Sequence, residues 1–483
     1  MAVLGKTAQS SPSHCGISGS AESSIGARIS EIVLIDTPDR SSYTPIKKEV
    51  LVKDVSGRMT SKKQLPFSVF ILIFSLFLFL IVEPLSVSGN SNSHAGDASG
   101  KSSLSEKTAI TDKIKSLIGP RDAVFLADAS GKPILAVNEN KLLIPASTLK
   151  MLTSLAALHY LGEDFRFKTE LYMDNQENLK IKGHGDPLLI SEVLREIARE
   201  LSTRVSGFND LILDTSHFTE PLIVPGVTSS FQPYDAPNGA LCVNFNTVYF
   251  KQDKTGKFIS AESETPLLPF VLPKIKKSKL REGRILLAGE KEECFMYAGH
   301  LFLYFFSSHN ILSSGKIRMG EVDTSKDEHI YTYISGYPLA HVIRRLLEFS
   351  NNYIANQLML AMSAIVQSPP GTMEKGVRVL NEFAKKELKI EDIRISEGSG
   401  ISRNNRITAK EMMKILNKFA PYYDLLRKDG NVYYKTGTLN GIRTRAGYIR
   451  DLKGNLLPFV ILINTPNKSD KTVLNNLTCY VQS

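Results

Sequence analysis

Three short motifs constrain this chain more than any other feature: Ser147-Thr148-Leu149-Lys150, Ser350-Asn351-Asn352 and Lys435-Thr436-Gly437-Thr438, in that order. Each is weak alone, since S-x-x-K recurs at Ser313-Ser314-Gly315-Lys316, a Gly-containing turn with no assigned role. In order, and in the settings of a helix start, a helical loop before an apolar segment, and a strand, they predict one assembled site. Ser147 and Ser350 stand 203 residues apart, too far for a single loop in a compact domain. The fold must therefore accommodate a large insertion between them.

The hydrophobic patterning supports that division. Ala123 to Asn138 holds two apolar runs around Ser130-Gly131 and predicts a β-hairpin. A helix starts near Ser147, is apolar on more than one face, and stops at Leu161-Gly162. Residues 164–325 switch to short β-like runs and turns, with one amphipathic helix near Ser191–Leu201, and read as a β-rich inserted domain. This insertion reads as an independent unit whose removal would leave the motif-bearing part able to react. Helical patterning returns at Pro338–Ile365, Lys375–Leu388 and Ala409–Phe419, and three strands, Val432–Leu439, Arg445–Ile449 and Pro458–Ile463, close the chain. The expected class is α+β, an antiparallel sheet packed on helices. Its catalytic part comprises residues 106–163 and 326–483.

Phe67 to Val82 is an uncharged apolar run, preceded by Lys62-Lys63 and followed by Ser86-Val87-Ser88-Gly89, the pattern of a signal peptide or signal anchor over residues 59–89. Met59 is the expected true start. Residues 1–58 are then an extension, either untranslated or a disordered cytoplasmic tail, with Lys62 and Lys63 on the inner side. Residues 90–105 read as a polar linker. Everything beyond is expected to be exported, to the periplasm or the outer face of the cytoplasmic membrane, with membrane association through residues 67–82 an option.

The net charge of +10 suits an anionic partner, which in an exported protein means cell wall or membrane surface before nucleic acid. The basic run Lys274–Lys279 reads as a solvated loop or strand edge. Four scattered cysteines and nine separated histidines lack zinc spacing, so neither metal nor cofactor is expected. Cys242 and Cys294 read as buried thiols, with pairing after export as the alternative.

The motif residues suit covalent chemistry. A serine hydroxyl needs a neighbouring base, and Ser147 and Lys150 at i and i+3 share a helical face. Lys150 must be neutral to serve, which burial and a second cation, Lys435, would favour. Ser350 offers a hydroxyl to relay a proton, and Asn352 an amide for the substrate or Lys150. Lys435, Thr436, Gly437 and Thr438 put a cation, hydroxyls and an open backbone edge on one strand, suiting a carboxylate-ended peptide that adds as a strand. Gly437 is read as leaving room for that approach. The bland alternatives are a capping serine with a snorkelling lysine, polar helix-end residues, and a glycine kink.

With these motifs, and with Gly183-His184-Gly185-Asp186-Pro187-Leu188, Leu211–Phe218, Val243-Asn244-Phe245-Asn246 and Glu397–Arg403, the chain resembles the class C low-molecular-mass penicillin-binding proteins. These are D-Ala-D-Ala carboxypeptidase/endopeptidases of the penicillin-binding protein 4 type. The resemblance spans about residues 106–465 and implies a serine β-lactamase/DD-peptidase-like fold split after the S-x-x-K helix. It implies Ser147 as acylated nucleophile, Lys150 as base, Ser350 as relay and Asn352 as partner of substrate and Lys150. Lys435 and Thr436 would bind the carboxylate, and the N–H groups of Ser147 and Thr438 would form the oxyanion hole. Peptidoglycan stem peptides would be the substrates and β-lactams covalent inhibitors. The chain departs from the family in lacking tryptophan and in a short stretch from Arg403 to Lys435.

Two rivals remain at this stage. A β-lactamase shares the motifs, but the E-x-x-L-N signature is missing and the insertion is foreign to those small enzymes. A penicillin- or peptidoglycan-binding sensor or scaffold without turnover is opposed by the intact motif residues.

Overall fold

The computed structural model describes residues 98–483, apart from 229 and 288–290, together with short strands at 32–35, 49–53 and 59–61. The chain divides into two units, Met1–Asn92 and Ser93–Ser483, and the second carries all three motifs. In the first unit Ile32–Ile35, Glu49–Lys53 and Met59–Ser61 pair as an antiparallel three-stranded sheet. Within the extension expected to be untranslated or disordered, IVLI and EVLVK are thus strands, β-branched apolar runs that favour pairing. The apolar run 67–82 lies outside the described residues. Among the described residues no helix is long and apolar enough to cross a membrane. The linker expected at 90–105 is also corrected, because a helix runs from Ala98 to Leu117.

A six-stranded antiparallel sheet organises the second unit, in the order Arg427–Asp429, Val432–Leu439, Ile442–Arg450, Leu456–Ile463, Asp122–Ala127, Pro133–Val137. Early and late chain segments meet in its centre, where Phe459 lies opposite Leu126. Successive side chains of a strand point to opposite faces. Val124, Leu126, Phe459 and Ile461 face one core with Ile114, Leu474 and Leu477, while Ala123, Phe125, Val460 and Leu462 face another with the motif-bearing helices. Burial on both faces explains why these strands read as unbroken apolar runs. A helix, Asp470–Gln482, covers the first face and ends the chain, where the sequence had suggested closing strands.

The inserted segment builds a five-stranded sheet, ordered Ile317–Met319, Leu211–Asp214, Leu179–Gly183, Lys168–Met173, Glu328–Ile334. The first three strands are parallel and the remaining pairings antiparallel. The insertion therefore extends through Ile334 rather than ending at 325, because Glu328–Ile334 pairs with Lys168–Met173. It is also less β-rich than expected. Beside Ser191–Leu201 it holds helices Leu272–Ser278 and Lys291–Ser308. The longer of these packs Phe302, Phe305 and Phe306 into the core, so aromatic residues that favour strands were drawn into a helix by burial. The basic run is thus the short helix Leu272–Ser278 anchored by buried Ile275, not a loop or strand edge.

The insertion also shares a core and buried hydrogen bonds with the motif-bearing part. Phe218, Val224, Ala240 and Cys242 belong to the core that surrounds the motif-bearing helices. Asn238 Nδ2 donates to Tyr353 O at 2.9 Å and Gln357 Oε1 at 2.8 Å, and Gln357 Nε2 returns a bond to Gly239 O at 2.6 Å. Cys242, Cys294 and Cys479 are free thiols, Cys242 buried and Cys294 half-buried.

Candidate active site

Ser147 sits in a 3-10 turn, Ala146–Leu149, that runs directly into the α-helix Lys150–Leu161. A 3-10 turn has three residues per turn, so side chains at i and i+3 eclipse. Lys150 Nζ accordingly lies 2.9 Å from Ser147 Oγ. The turn is pinned at Pro145, whose carbonyl accepts from Thr148 Oγ1 and from Thr444 Oγ1 on the sheet, both at 2.7 Å. Ala146 is held at φ 48°, in the left-handed region. An alanine there costs roughly 1–2 kcal/mol, which surrounding contacts must offset.

Lys150 is completely buried. Besides Ser147 its Nζ contacts Asn352 Oδ1 and the Ser399 carbonyl, each at 2.7 Å. Two of these three partners can only accept. A neutral amine can satisfy both with its N–H groups and turn its lone pair to the Ser147 hydroxyl. Burial holds the Lys150 pKa well below the ordinary lysine value and Lys435 pushes in the same direction, while Glu397 opposes them.

The second motif is a helix break. Helix Leu339–Phe349 ends at Ser350 in the left-handed conformation, φ 54°, and helix Asn352–Gln367 begins immediately, capped by Asn351 Oδ1 accepting from Ile354 N at 3.0 Å. The helical patterning over Pro338–Ile365 thus resolves into two helices, the first ended at Ser350 and the second capped by Asn351. The break aims Ser350 at the third motif. Lys435 Nζ donates to Ser350 Oγ and to Thr436 O, both at 2.7 Å. Burial pushes the Lys435 pKa down to about 7.

Lys435–Thr438 lie on strand Val432–Leu439. On one side the whole strand pairs with Ile442–Arg450, but on the other the short strand Arg427–Asp429 covers only Val432–Tyr434. Beyond Tyr434 that edge has no strand partner among the described residues, and exposed Thr438 lies on it. Gly437 is buried, and a Cβ there would stand 2.2 Å from Thr444 Oγ1 and 2.8 Å from Ser147 N. The glycine thus lets the strand press against the nucleophile turn; the space it leaves is filled by protein, which corrects the expectation that it clears a path for substrate.

The three motifs named from sequence therefore meet: Lys150 joins Ser147 to Asn352, Lys435 reaches Ser350, and Gly437 abuts Ser147, while the Ser313–Lys316 repeat lies apart, its glycine packed on Asn209 and Asp210. Patterning did not single out Ser399, Glu397, Thr444 or Tyr234, whose carbonyl accepts from Asn352 Nδ2 at 3.2 Å. Glu397 and Ser399 stood in a family-like stretch, but nothing in that stretch marked them as partners of Lys150.

A buried lysine on a serine at a helix start, beside a second buried lysine on an open strand edge, defines an active-site serine peptidase of the DD-peptidase class. The chain belongs to the D-Ala-D-Ala carboxypeptidase 3 (S13) family, which it matches over residues 108–277, 290–428 and 426–481. It is 22% identical to the D-alanyl-D-alanine carboxypeptidase DacB of Haemophilus influenzae, covering 69% of this chain and 83% of that protein. It is 24% identical to a D-alanyl-D-alanine carboxypeptidase of an Actinomadura species, covering 77% and 83%. The crystal structure of penicillin binding protein 4 (dacB) from Haemophilus influenzae superposes with a TM-score of 0.62 at 18% identity, covering 76% of this chain and 97% of that one. The fold is thus the penicillin-binding protein 4 fold, with the α+β architecture read from the sequence, and the chain is a peptidase.

Proposed function

We propose that the protein is an exported serine D-Ala-D-Ala carboxypeptidase/endopeptidase that trims or uncross-links peptidoglycan stem peptides through an acyl-enzyme at Ser147, and that β-lactams acylate the same serine. The observation that carries this reading is buried Lys150 on Ser147 Oγ, facing the open edge Lys435–Leu439. A stem peptide added along that edge would place its terminal carboxylate at Lys435 and Thr436, and its scissile carbonyl over Ser147. The N–H groups of Ser147 and Thr438 would stabilise the oxyanion.

In acylation, Ser147 Oγ attacks the penultimate D-Ala carbonyl and gives its proton to neutral Lys150. The C–N bond breaks as Ser350 hands a proton to the departing amine and is reprotonated by Lys435. In deacylation, water attacks the ester and its proton returns through Ser350 to Lys435, while Lys150 restores the proton to Ser147. Every proton taken is given back, so one turnover regenerates the site. Family membership supports an extracytoplasmic place of action, and the apolar run 67–82 supports delivery to the periplasm or the outer membrane face, cleaved or retained as an anchor.

Incubation with a stem pentapeptide and a cross-linked dimer, read by mass spectrometry, tests the proposal. Release of D-Ala or of uncross-linked monomers by wild type, with none by Ser147→Ala, is the expected result. Fluorescent penicillin should label wild type and not Ser147→Ala; persistent labelling would remove Ser147 as nucleophile.

A further inference from the structure

Glu397 opens the loop that reaches Lys150 from outside the three motifs, and its side chain is completely buried. Six donors converge on its carboxylate. Oε1 accepts from Gly400 N and Asn405 Nδ2 at 2.7 Å and from Ser402 N at 3.2 Å. Oε2 accepts from Ser399 N and Ser399 Oγ at 2.6 Å and from Asn356 Nδ2 at 3.2 Å. Only an acceptor can meet six donors, and an ionised carboxylate is the side chain that offers nothing else.

The organised loop is turned on the nucleophile helix. Its Ser399 carbonyl accepts from Lys150 Nζ at 2.7 Å, and its Gly398 carbonyl accepts from Thr153 Oγ1 at 2.6 Å. Helix Asn352–Gln367 holds the same assembly from a third side, with Asn352 on Lys150 and Asn356, one turn later, on Gly398 N and Glu397. Lys150 is therefore clamped between two carbonyl oxygens, one on a helix and one on a loop that Glu397 ties together.

We propose that Glu397 is a positioning residue for acylation: it fixes the Ser399 carbonyl so that Lys150 directs its lone pair at Ser147. This inference rests on the reading of Lys150 as base. The Glu397 charge also favours the ammonium form of Lys150, against burial and the Lys435 cation, which disfavour it. It thus affects both where the base points and when it is free. A residue that only stabilised the loop would affect neither separately.

The test is the pH profile of acylation by fluorescent penicillin, on the purified full-length protein. In Glu397→Gln an amide N–H₂ meets donors, the Ser399 carbonyl loosens, and the plateau rate falls by about tenfold to a hundredfold. Its acid limb moves to lower pH, because the charge that favours the ammonium is gone. Glu397→Asp keeps the charge, so its limb stays at the wild-type pH and its plateau recovers relative to the glutamine variant. Asn405→Ala removes one donor and leaves the carboxylate; it should lower the plateau by about threefold or more without moving the limb, and it serves if Glu397→Gln does not fold. A folded Glu397→Gln with a wild-type plateau, or with a reduced plateau and an unmoved limb, overturns the proposal, as does Asn405→Ala at the wild-type rate. Lys150→Ala separates the two levels: if it acylates normally, the base assignment itself fails. If it is inert while Glu397→Gln is unaffected, only the role of Glu397 fails.

Discussion

Gly437→Ala is the sharpest single test of how the site is assembled. The added Cβ would lie 2.2 Å from Thr444 Oγ1, 2.8 Å from Ser147 N and 2.9 Å from Ala146 Cβ. Restoring ordinary contact with Thr444 requires a displacement of roughly 1 Å, and Thr444 is not free to yield because its hydroxyl bonds Pro145 O at 2.7 Å. Overpacking of this kind costs about 1–3 kcal/mol of stability. The larger effect falls on activity, because a misplacement of about 1 Å between strand and nucleophile turn separates the two proposed oxyanion donors and costs on the order of a hundredfold in rate. Acylation by fluorescent penicillin, measured beside thermal unfolding, reads both. The double variant Gly437→Ala/Thr444→Ala removes the closest clash and should recover part of the stability, yet not the rate, since the contact with Ser147 N is to backbone. A Gly437→Ala protein that acylates within about threefold of wild type would refute this account of the glycine.

Lys150→Ala should lose acylation far more severely than Lys435→Ala, which keeps the base for Ser147 and should raise KM for carboxylate-ended peptides while lowering kcat through the lost Ser350 relay; the reverse order, measured by single-turnover labelling and peptide kinetics, would exchange the two roles. Because Lys435 is pushed down to about 7 while the unfolded value stays near 10.5, the unfolded chain binds more protons between those pH values. Stability therefore rises with pH across that window, and below it the burial cost stands in full. Lys435→Met should flatten this rise in denaturant titrations, and a parallel slope in wild type and variant would contradict the assignment. In the free enzyme the same titration predicts that kcat/KM for a carboxylate-ended peptide falls above about pH 7, because deprotonated Lys435 neither binds the carboxylate nor resupplies a proton to Ser350. Asn238→Ala leaves the Tyr353 carbonyl and Gln357 Oε1 without their buried donor, so it should destabilise the protein by about 1–3 kcal/mol, and deletion of residues 170–320 should yield no folded product. Recovery of a folded, penicillin-labelled deletion protein would show that the insertion is separable after all.

Much of this protein is local information, and that part is legible in the chain itself. The strand Val432–Leu439 and the helices Ser191–Leu201 and Ala409–Phe419 follow from hydrophobic period, and the three motifs name side chains that meet at the nucleophile turn. The α+β class follows from the same patterns. Burial overrode local preference in the aromatic helix Lys291–Ser308, and the bound of the insertion was missed because the strand Glu328–Ile334 is tied to it only by pairing with the distant Lys168–Met173. The break at Ser350 was hidden because both flanking segments are helical and only the cap at Asn351 separates them. Other features exist only in three dimensions. The left-handed Ala146 is held by a turn pinned to the sheet, the free edge at Lys435–Leu439 arises because its neighbour is short, and the clamp of Asn352 and Ser399 on Lys150 joins residues about 200 positions or more from it in sequence. Sequence patterning reports which groups a chain has and what each segment does alone. The burial that lowers a lysine's pKa and the distances that turn a hydroxyl into a nucleophile depend on which distant segments pack together, and that is decided by the tertiary structure.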